Sequence, residues 1–192
     1  MRLKEMIKLS HLKLTFDRKL FLRVLNFLMF YIGWGFCLTG AVKGRPFLGP
    51  IIVGACVLYH LIQERFRLSE LVMILSISAF GTINDSIYLN LGLIDYKAGY
   101  ESLPWLVPLW VTSIWALFGM SVNHSMVWLR GNLVLASVFG AGGGVVSYFA
   151  AFRVGAAIFH PSAIVVLVVI GIVWSIVMPL IVIYGQWIDR KL

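Results

Sequence analysis

The stretch LVMILSISAFGTINDSIYLNLGLI, residues 71–94, decides the fold class of this chain. A helix of this length and composition can cross the roughly 30 Å hydrocarbon core of a bilayer. Asn84 and Asp85 lie near its middle, and Asp85 is the only carboxylate that the sequence places inside an apolar span. A carboxylate at the bilayer centre costs about 2.5–3.5 kcal/mol on insertion scales, so we expect Asp85 to face a partner or water-filled space rather than lipid.

The composition of the whole chain is that of a membrane protein. Of its 192 residues, 60% are hydrophobic and 12% are charged, and the mean hydropathy is +0.93. A soluble domain has about 25% charged residues, which excludes a water-solvated surface here. The net charge is +8, but the basic residues flank apolar spans, so we expect no nucleic-acid partner.

Outward from residues 71–94, the sequence contains five further apolar spans. Their approximate bounds are Val24–Val42, Pro46–Ile62, Pro104–Leu129, Leu133–Phe152 and Ala163–Ile188. The connections are short, which favours antiparallel neighbours in a compact bundle. The sequence therefore predicts an all-α integral membrane protein of about six transmembrane helices, with residues 24–192 as a single transmembrane domain.

Residues 1–23 hold seven of the 16 lysines and arginines and are predicted to form a basic cytoplasmic tail that is not cleaved. With six spans, 12 basic residues fall on the side of this tail and four on the other. If the short second span did not cross, the split would be nine against seven. The six-span count follows the positive-inside rule better and predicts two cytoplasmic termini, with residues 94–103 outside.

From Asn26 onward, the order of short motifs resembles that of a known family. The motifs are Asn26-Phe27, Gly33-Trp34, Leu48-Gly49-Pro50, Tyr59-His60, Gly81, Asp85-Ser86, Leu91-Gly92-Leu93, Pro104-Trp105, Leu109-Trp110, Ala116-Leu117-Phe118, the run from Asn123 to Leu129, Gly140, Gly143-Gly144, Tyr148 and Gly155-Ala156. Over about residues 26–157 the chain resembles a family of small multi-pass bacterial inner-membrane proteins catalogued as a domain of unknown function. The resemblance implies a bacterial inner-membrane location and a link to membrane lipids, and it brings no established chemistry.

Depth along the helices predicts neighbours for Asp85. At about 1.5 Å of rise per residue, Ser113 on the fourth span and Trp34 on the first lie at a similar level in the outer half. We therefore predict a cluster of Asp85, Asn84, Trp34 and Ser113. Such a cluster can carry a proton or bind a cation, or it can hold a hydrogen-bonded carboxylate that locks the helices together. Both interpretations stay open.

His124 is the second catalytic candidate and lies near the inner end of the fourth span, next to Asn123 and at the level of His60 and Asn26. It fits an interhelical hydrogen-bonding role or general acid–base catalysis. Two imidazoles without a third ligand do not form a stable metal site, so the sequence predicts no metal and no cofactor. Asp85 and His124 differ by more than about 10 Å in depth, so we expect no direct dyad between them.

A glycine-rich run lies in the fifth span. Gly140 and Gly144 form a GxxxG face that favours close helix packing; local unwinding of the helix towards a substrate is the alternative. Tyr148, one turn further on, is expected to reach the same interior. Pro108 and Pro179 are predicted to kink their helices.

Three hypotheses for function follow. The first is a protein that handles or modifies a membrane lipid or isoprenoid-like molecule in an intramembrane cavity, because buried polar residues are few and aromatic residues many. The second is a small-solute or proton-coupled transporter that uses Asp85. The third is a non-catalytic scaffold for other membrane enzymes. The candidate substrate-binding residues are Asn84, Trp34, Ser113, Asn123 and Tyr148.

Overall fold

The computed structural model describes residues 3–65 and 67–192, with side chains described from residue 18 onward. The described residues form six α-helices. These are α1 (Leu3–Val42), α2 (Leu48–Gln63), α3 (Leu68–Asn90), α4 (Leu109–Val122), α5 (Leu133–Arg153) and α6 (Ala163–Lys191). Two short strands, β1 (Ile94–Tyr96) and β2 (Ala157–Phe159), and a 3-10 turn at Val127–Leu129 complete the fold. The predicted tail falls on α1, and its side chains before residue 18 lie outside the described residues.

Four helices are long and apolar enough to cross a membrane, counted over the described residues. They are α3, α5, α6 and the part of α1 from Arg18 to Val42. The other two, α2 with 16 residues and α4 with 14, are apolar but shorter. Many large apolar side chains on the helices are exposed, which is rare on the surface of a soluble monomer. The predicted all-helical membrane protein is confirmed at this level.

The helices pack as two groups. In the first, α1 packs on α2 and α4, and α4 packs on α3; in the second, α5 packs mainly on α6. Little packing joins α1 to α5, although the two helices face each other across the bundle. A cavity lies at this seam between the groups.

A two-stranded antiparallel sheet closes one end of the bundle. It joins the α3–α4 loop to the α5–α6 loop, with Tyr96 of β1 opposite Ala157 of β2. The sequence analysis extended the third span to Ile94, and this bound is wrong. Helix α3 ends at Asn90, and Gly92 follows with a φ of +65°, a conformation that glycine adopts without steric cost.

The bounds of the predicted fourth span are also wrong, because α4 covers only Leu109–Val122. Pro108 precedes the helix with an extended backbone, at φ −65° and ψ 153°. Proline suits the start of a helix, since the N–H that it lacks would have no partner there. Pro108 therefore starts α4 and does not kink it, whereas Pro179 does lie inside α6.

The GxxxG face of α5 packs closely against another helix, as predicted, and that helix is α6. A Cβ atom on Gly140 would collide with the carbonyl oxygen of Trp174 and with Met178. A Cβ atom on Gly144 would lie 2.6 Å from the indole of Trp174. The helix α5 is continuous through the glycine run, so the alternative of local unwinding is wrong.

Leucine at either position of this face should destabilise the protein. We expect Gly140→Leu and Gly144→Leu each to lose about 1–3 kcal/mol of stability, because the new side chain overlaps α6. Gly142→Leu is the matched control, since a Cβ atom there meets nothing within 4 Å. Thermal unfolding of the purified variants in detergent measures the difference. Equal melting temperatures for all three variants would contradict close packing.

Candidate functional site

The carboxylate of Asp85 is fully buried and accepts three hydrogen bonds. It lies on α3 and is only 1% exposed. The hydroxyl groups of Tyr148 and Tyr96 donate to its Oδ1 at 2.5 and 2.7 Å, and the indole Nε1–H of Trp115 donates to its Oδ2 at 2.5 Å. An ionised carboxylate can only accept, so these three donors take the place of its water shell.

These three donors come from three elements of the fold. Tyr96 lies on β1, and burial raises the pKa of its phenol well above the usual value, so the hydroxyl keeps the proton that it donates. Trp115 lies on α4, and its indole fills the space where a side chain at Gly81 would be. The same indole stacks on Trp174 of α6, with 5.0 Å between the ring centroids. The absence of a side chain at residue 81 thus lets α4 reach Asp85.

A cavity of about 250 Å³ lies beside Asp85, between α1, α4, α5 and α6. Its aromatic lining consists of Phe30, Tyr31, Trp34, Tyr96, Trp110, Trp115, Phe118, Phe139, Tyr148 and Trp174. Among the described residues around this cavity, Asp85 is the only one with a charged side chain. The lining residues of α5 run from Phe139 to Ala151, about 18 Å along the helix axis, so the cavity is an elongated slot.

The slot opens sideways between α1 and α5. Tyr31 of α1 and Val146 of α5 both line it and are 52% and 68% exposed. Gly143 also lines it, and a Cβ atom there would meet nothing within 4 Å. One hydrogen bond crosses this seam, from Nε1 of Trp34 to Oγ of Ser147 at 3.2 Å. The aromatic walls are therefore accessible from the side of the bundle.

Of the five candidate substrate-binding residues, the structure brings two to this cavity and leaves three out. Trp34 and Tyr148 line it together with Asp85. Asn84 does not, because successive residues of a helix point about 100° apart. Ser113 donates a hydrogen bond to a carbonyl group of its own helix instead. The predicted cluster therefore loses Asn84 and Ser113. Two partners of Asp85 that the sequence did not reveal are Tyr96 on β1 and Trp115 on α4, two residues after Ser113.

A second polar cluster lies at the opposite end of α3. Glu70 is 1% exposed, and its Oε2 lies 3.1 Å from Nε2 of His60 and 3.1 Å from Nε2 of His124. The two imidazole rings are nearly perpendicular, with centroids 4.6 Å apart. The Oε1 of Glu64 lies 3.9 Å from Nδ1 of His124. The cluster therefore joins the end of α2, the start of α3 and the turn after α4.

Glu70 is a functional candidate that the apolar stretch 71–94 does not include. The helix α3 begins at Leu68 and buries Glu70 in its first turn. Fifteen residues separate Glu70 from Asp85, or about 22 Å along the helix. Asp85 and His124 therefore belong to different sites, as expected from their depths.

Asn123 lies in neither site. Its Nδ2 donates to Asp189 at 3.2 Å, and its Oδ1 accepts from Arg130 at 2.7 Å. Arg130 also pairs with Asp189 at 2.5 Å. The three side chains tie the segment after α4 to the end of α6, which is a structural role.

The sequence model of one protein family matches residues 23–180 of this chain. That family is described as a protein of unknown function, DUF2878. The chain belongs to this family, which confirms the resemblance seen in the order of its motifs. No curated protein and no solved structure matches the chain. A function must therefore be inferred from the two polar sites and the cavity.

Removing one donor from Asp85 should cost stability. We expect Tyr148→Phe to lose about 1.5–3 kcal/mol, the usual contribution of a hydrogen bond to a charged group. Tyr59→Phe is the control, because the Tyr59 ring is 40% exposed. Thermal unfolding in detergent compares the two variants. Equal melting temperatures would show that the bond to Asp85 does not stabilise the fold.

Proposed function

We propose that this protein binds the chain of a membrane lipid or an isoprenoid-like molecule in the slot beside Asp85. The observation that carries this proposal is an aromatic cavity that opens between α1 and α5, where exposed residues of both helices line it. Small-molecule sites are typically apolar cavities with a few placed polar groups. At about 250 Å³, the slot is smaller than most such sites and would hold one end of a lipid while the rest stays in the bilayer.

Asp85 favours a particular kind of lipid end. A carboxylate offers about four acceptor positions, and the three donors occupy three of them. The remaining position can accept a hydrogen bond from a hydroxyl or ammonium group of a ligand. The described lining residues include no lysine, arginine or histidine that would offset a phosphate. The bound end is therefore an alcohol or an amine, since a phosphate would be repelled by the carboxylate.

The two alternatives from the sequence gain less support. Proton-coupled transport needs a carboxylate that exchanges protons with water, whereas Asp85 is buried and its carboxylate is surrounded by three protein donors. The cavity at Asp85 shares no lining residue with the small one beside His124, so the described residues outline no path across the bundle. A scaffold for other membrane enzymes would need no slot at all. We accordingly assign Asp85 a binding role.

The proposal includes a membrane arrangement: six spans in a bacterial inner membrane, with both termini in the cytoplasm. The β1–β2 sheet joins the α3–α4 loop to the α5–α6 loop, which supports placing both loops on the same side of the membrane. The cluster of His60, Glu70 and His124 joins the end of α2, the start of α3 and the turn after α4, which supports placing these ends together on the other side of the membrane. The short helices α2 and α4 would then cross where the bilayer is locally thinner.

Filling the slot should abolish lipid binding without unfolding the protein. Gly143→Leu places a side chain in the cavity, and a Cβ atom there meets no other atom within 4 Å. Gly142→Leu adds the same side chain one residue away, outside the lining, and is the matched control. The assay is photocrosslinking, in reconstituted vesicles, of a long-chain isoprenoid alcohol that carries a diazirine group.

We expect crosslinks on α1 and α5 in the unchanged protein and in Gly142→Leu, and at least about tenfold fewer in Gly143→Leu. The phosphate ester of the same alcohol should crosslink less than the alcohol itself. Equal labelling of the two leucine variants would contradict binding in the slot. Stronger labelling by the phosphate would contradict the role given to Asp85.

The proposed orientation is tested at Ala98, an exposed residue in the loop after β1. Ala98→Cys in a Cys56→Ala background should react with an impermeant maleimide added to intact spheroplasts, because this loop is expected to face outward. The remaining cysteine, Cys37, is buried. Labelling that occurs only after permeabilisation would show that the protein has the opposite orientation.

A further inference from the structure

We propose that His60, Glu70 and His124 form a binding site for one divalent transition-metal ion, and that Zn²⁺ is the ion this ligand set favours. The site lies about 22 Å along α3 from Asp85, so it is independent of the lipid-binding slot. Two imidazoles and one carboxylate are a known ligand set for zinc sites that keep a fourth position open. The three side chains come from different parts of the fold, which a bound ion would crosslink.

The spacing of the three ligand atoms suits a metal ion. Both Nε2 atoms lie 3.1 Å from Oε2 of Glu70, and the three atoms lie within 4.8 Å of one another. Two ligands bound at about 2.0 Å to a tetrahedral Zn²⁺ are about 3.3 Å apart. The two distances to Oε2 of Glu70 are close to this value, so small side-chain movements would complete the coordination.

His124 has a ring nitrogen that is prepared to bind. Its Nε2 is buried and makes no hydrogen bond, since its direction towards Glu70 does not suit one. Buried polar atoms without a partner are rare in proteins. On the other side of the ring, the carboxylate of Glu64 lies 3.9 Å from Nδ1 and favours the proton there. The lone pair of Nε2 then points into the cluster, as in metal-binding histidines that a nearby carboxylate orients.

The fourth coordination position has space and a polar neighbour. A cavity of about 20 Å³ lies beside the cluster and is lined in part by Asn26, His60, Glu64 and His124. This volume is enough for one water-sized ligand. The Oδ1 atom of Asn26 is buried without a hydrogen-bond partner and can accept from such a ligand. The arrangement is therefore that of an open metal site rather than a closed structural one.

Charge also favours a cation at this position. Glu70 is almost completely buried, and a buried carboxylate needs a positive partner. Glu64 adds a second negative charge at the edge of the cluster. A divalent ion would balance both carboxylates and leave the imidazoles neutral. Without a metal, the imidazoles would serve as hydrogen-bonding partners of Glu70, which is the role that the sequence left open.

Metal content decides between the two. Full-length protein with a tag that contains no histidine is purified in chelator-treated detergent buffer, loaded with ZnCl₂ and desalted, and its zinc is measured by mass spectrometry. We expect about one Zn²⁺ per chain. Glu70→Gln and His124→Gln should each lower this content at least about fivefold. His160→Gln is the matched control, because His160 pairs with an exposed aspartate at the other end of the bundle and should keep the metal.

The zinc content of the unchanged protein tests the proposal whether or not the variants fold. Less than about 0.1 Zn²⁺ per chain in that sample would overturn the proposal. Equal zinc content in Glu70→Gln, His124→Gln and His160→Gln would also overturn it, since the ion would then be bound elsewhere. Substitution with Co²⁺ gives a second test, because a tetrahedral site with nitrogen and oxygen ligands produces visible absorption bands that Glu70→Gln should remove.

Discussion

The carboxylate of Asp85 is the constraint on which the half of the bundle next to the β1–β2 sheet depends. A charge buried in an apolar bundle is tolerated only when hydrogen-bond donors surround it. Tyr96, Trp115 and Tyr148 provide those donors, and they lie on β1, α4 and α5. The hydrogen bonds to Asp85 therefore hold β1, α4 and α5 against α3. The bond from Tyr148 matters most for the architecture, because α5 otherwise packs mainly on α6.

The same bonds shape the cavity. Trp115 and Tyr148 donate to Asp85 and also line the slot, so the polar end and the apolar walls are held by shared residues. Gly143 leaves the slot open, while Gly140 and Gly144 bring α6 close against α5 and form part of the lining as well. A ligand that enters between α1 and α5 would contact side chains that are already fixed, and would lose little of its binding energy to ordering them.

The sequence predicts the parts of this structure that depend on local composition. Length and hydropathy identify the long helices, the lone apolar-span carboxylate identifies Asp85, and the spacing of Gly140 and Gly144 identifies the α5–α6 contact. The depth of a residue along the helix axis does not tell which way its side chain points around that axis. Depth predicts Ser113 as the neighbour of Asp85, whereas the side chain of α4 that contacts Asp85 is Trp115. The strand with Tyr96 has three residues and pairs with a loop some 60 residues away, which no local pattern reveals. Glu70 was missed because a polar residue in the first turn of a helix precedes the apolar run.

Both candidate sites are built on one interface, between α3 and α4. Glu70 and Asp85 are 15 residues apart, which at about 100° per residue puts them about 60° apart around the axis, on the same buried side of α3. At one end the partner from α4 is the indole of Trp115, and at the other it is His124, two residues after α4 ends. An indole N–H keeps its proton and can only donate, so the carboxylate of Asp85 accepts a hydrogen bond from α4. An imidazole nitrogen can bind a metal through its lone pair, so Glu70 has the partners that a cation requires. The chemistry at each end of α3 therefore follows from the side chain that contacts its carboxylate. That side chain is Trp115 of α4 at one end and His124 of the turn after α4 at the other.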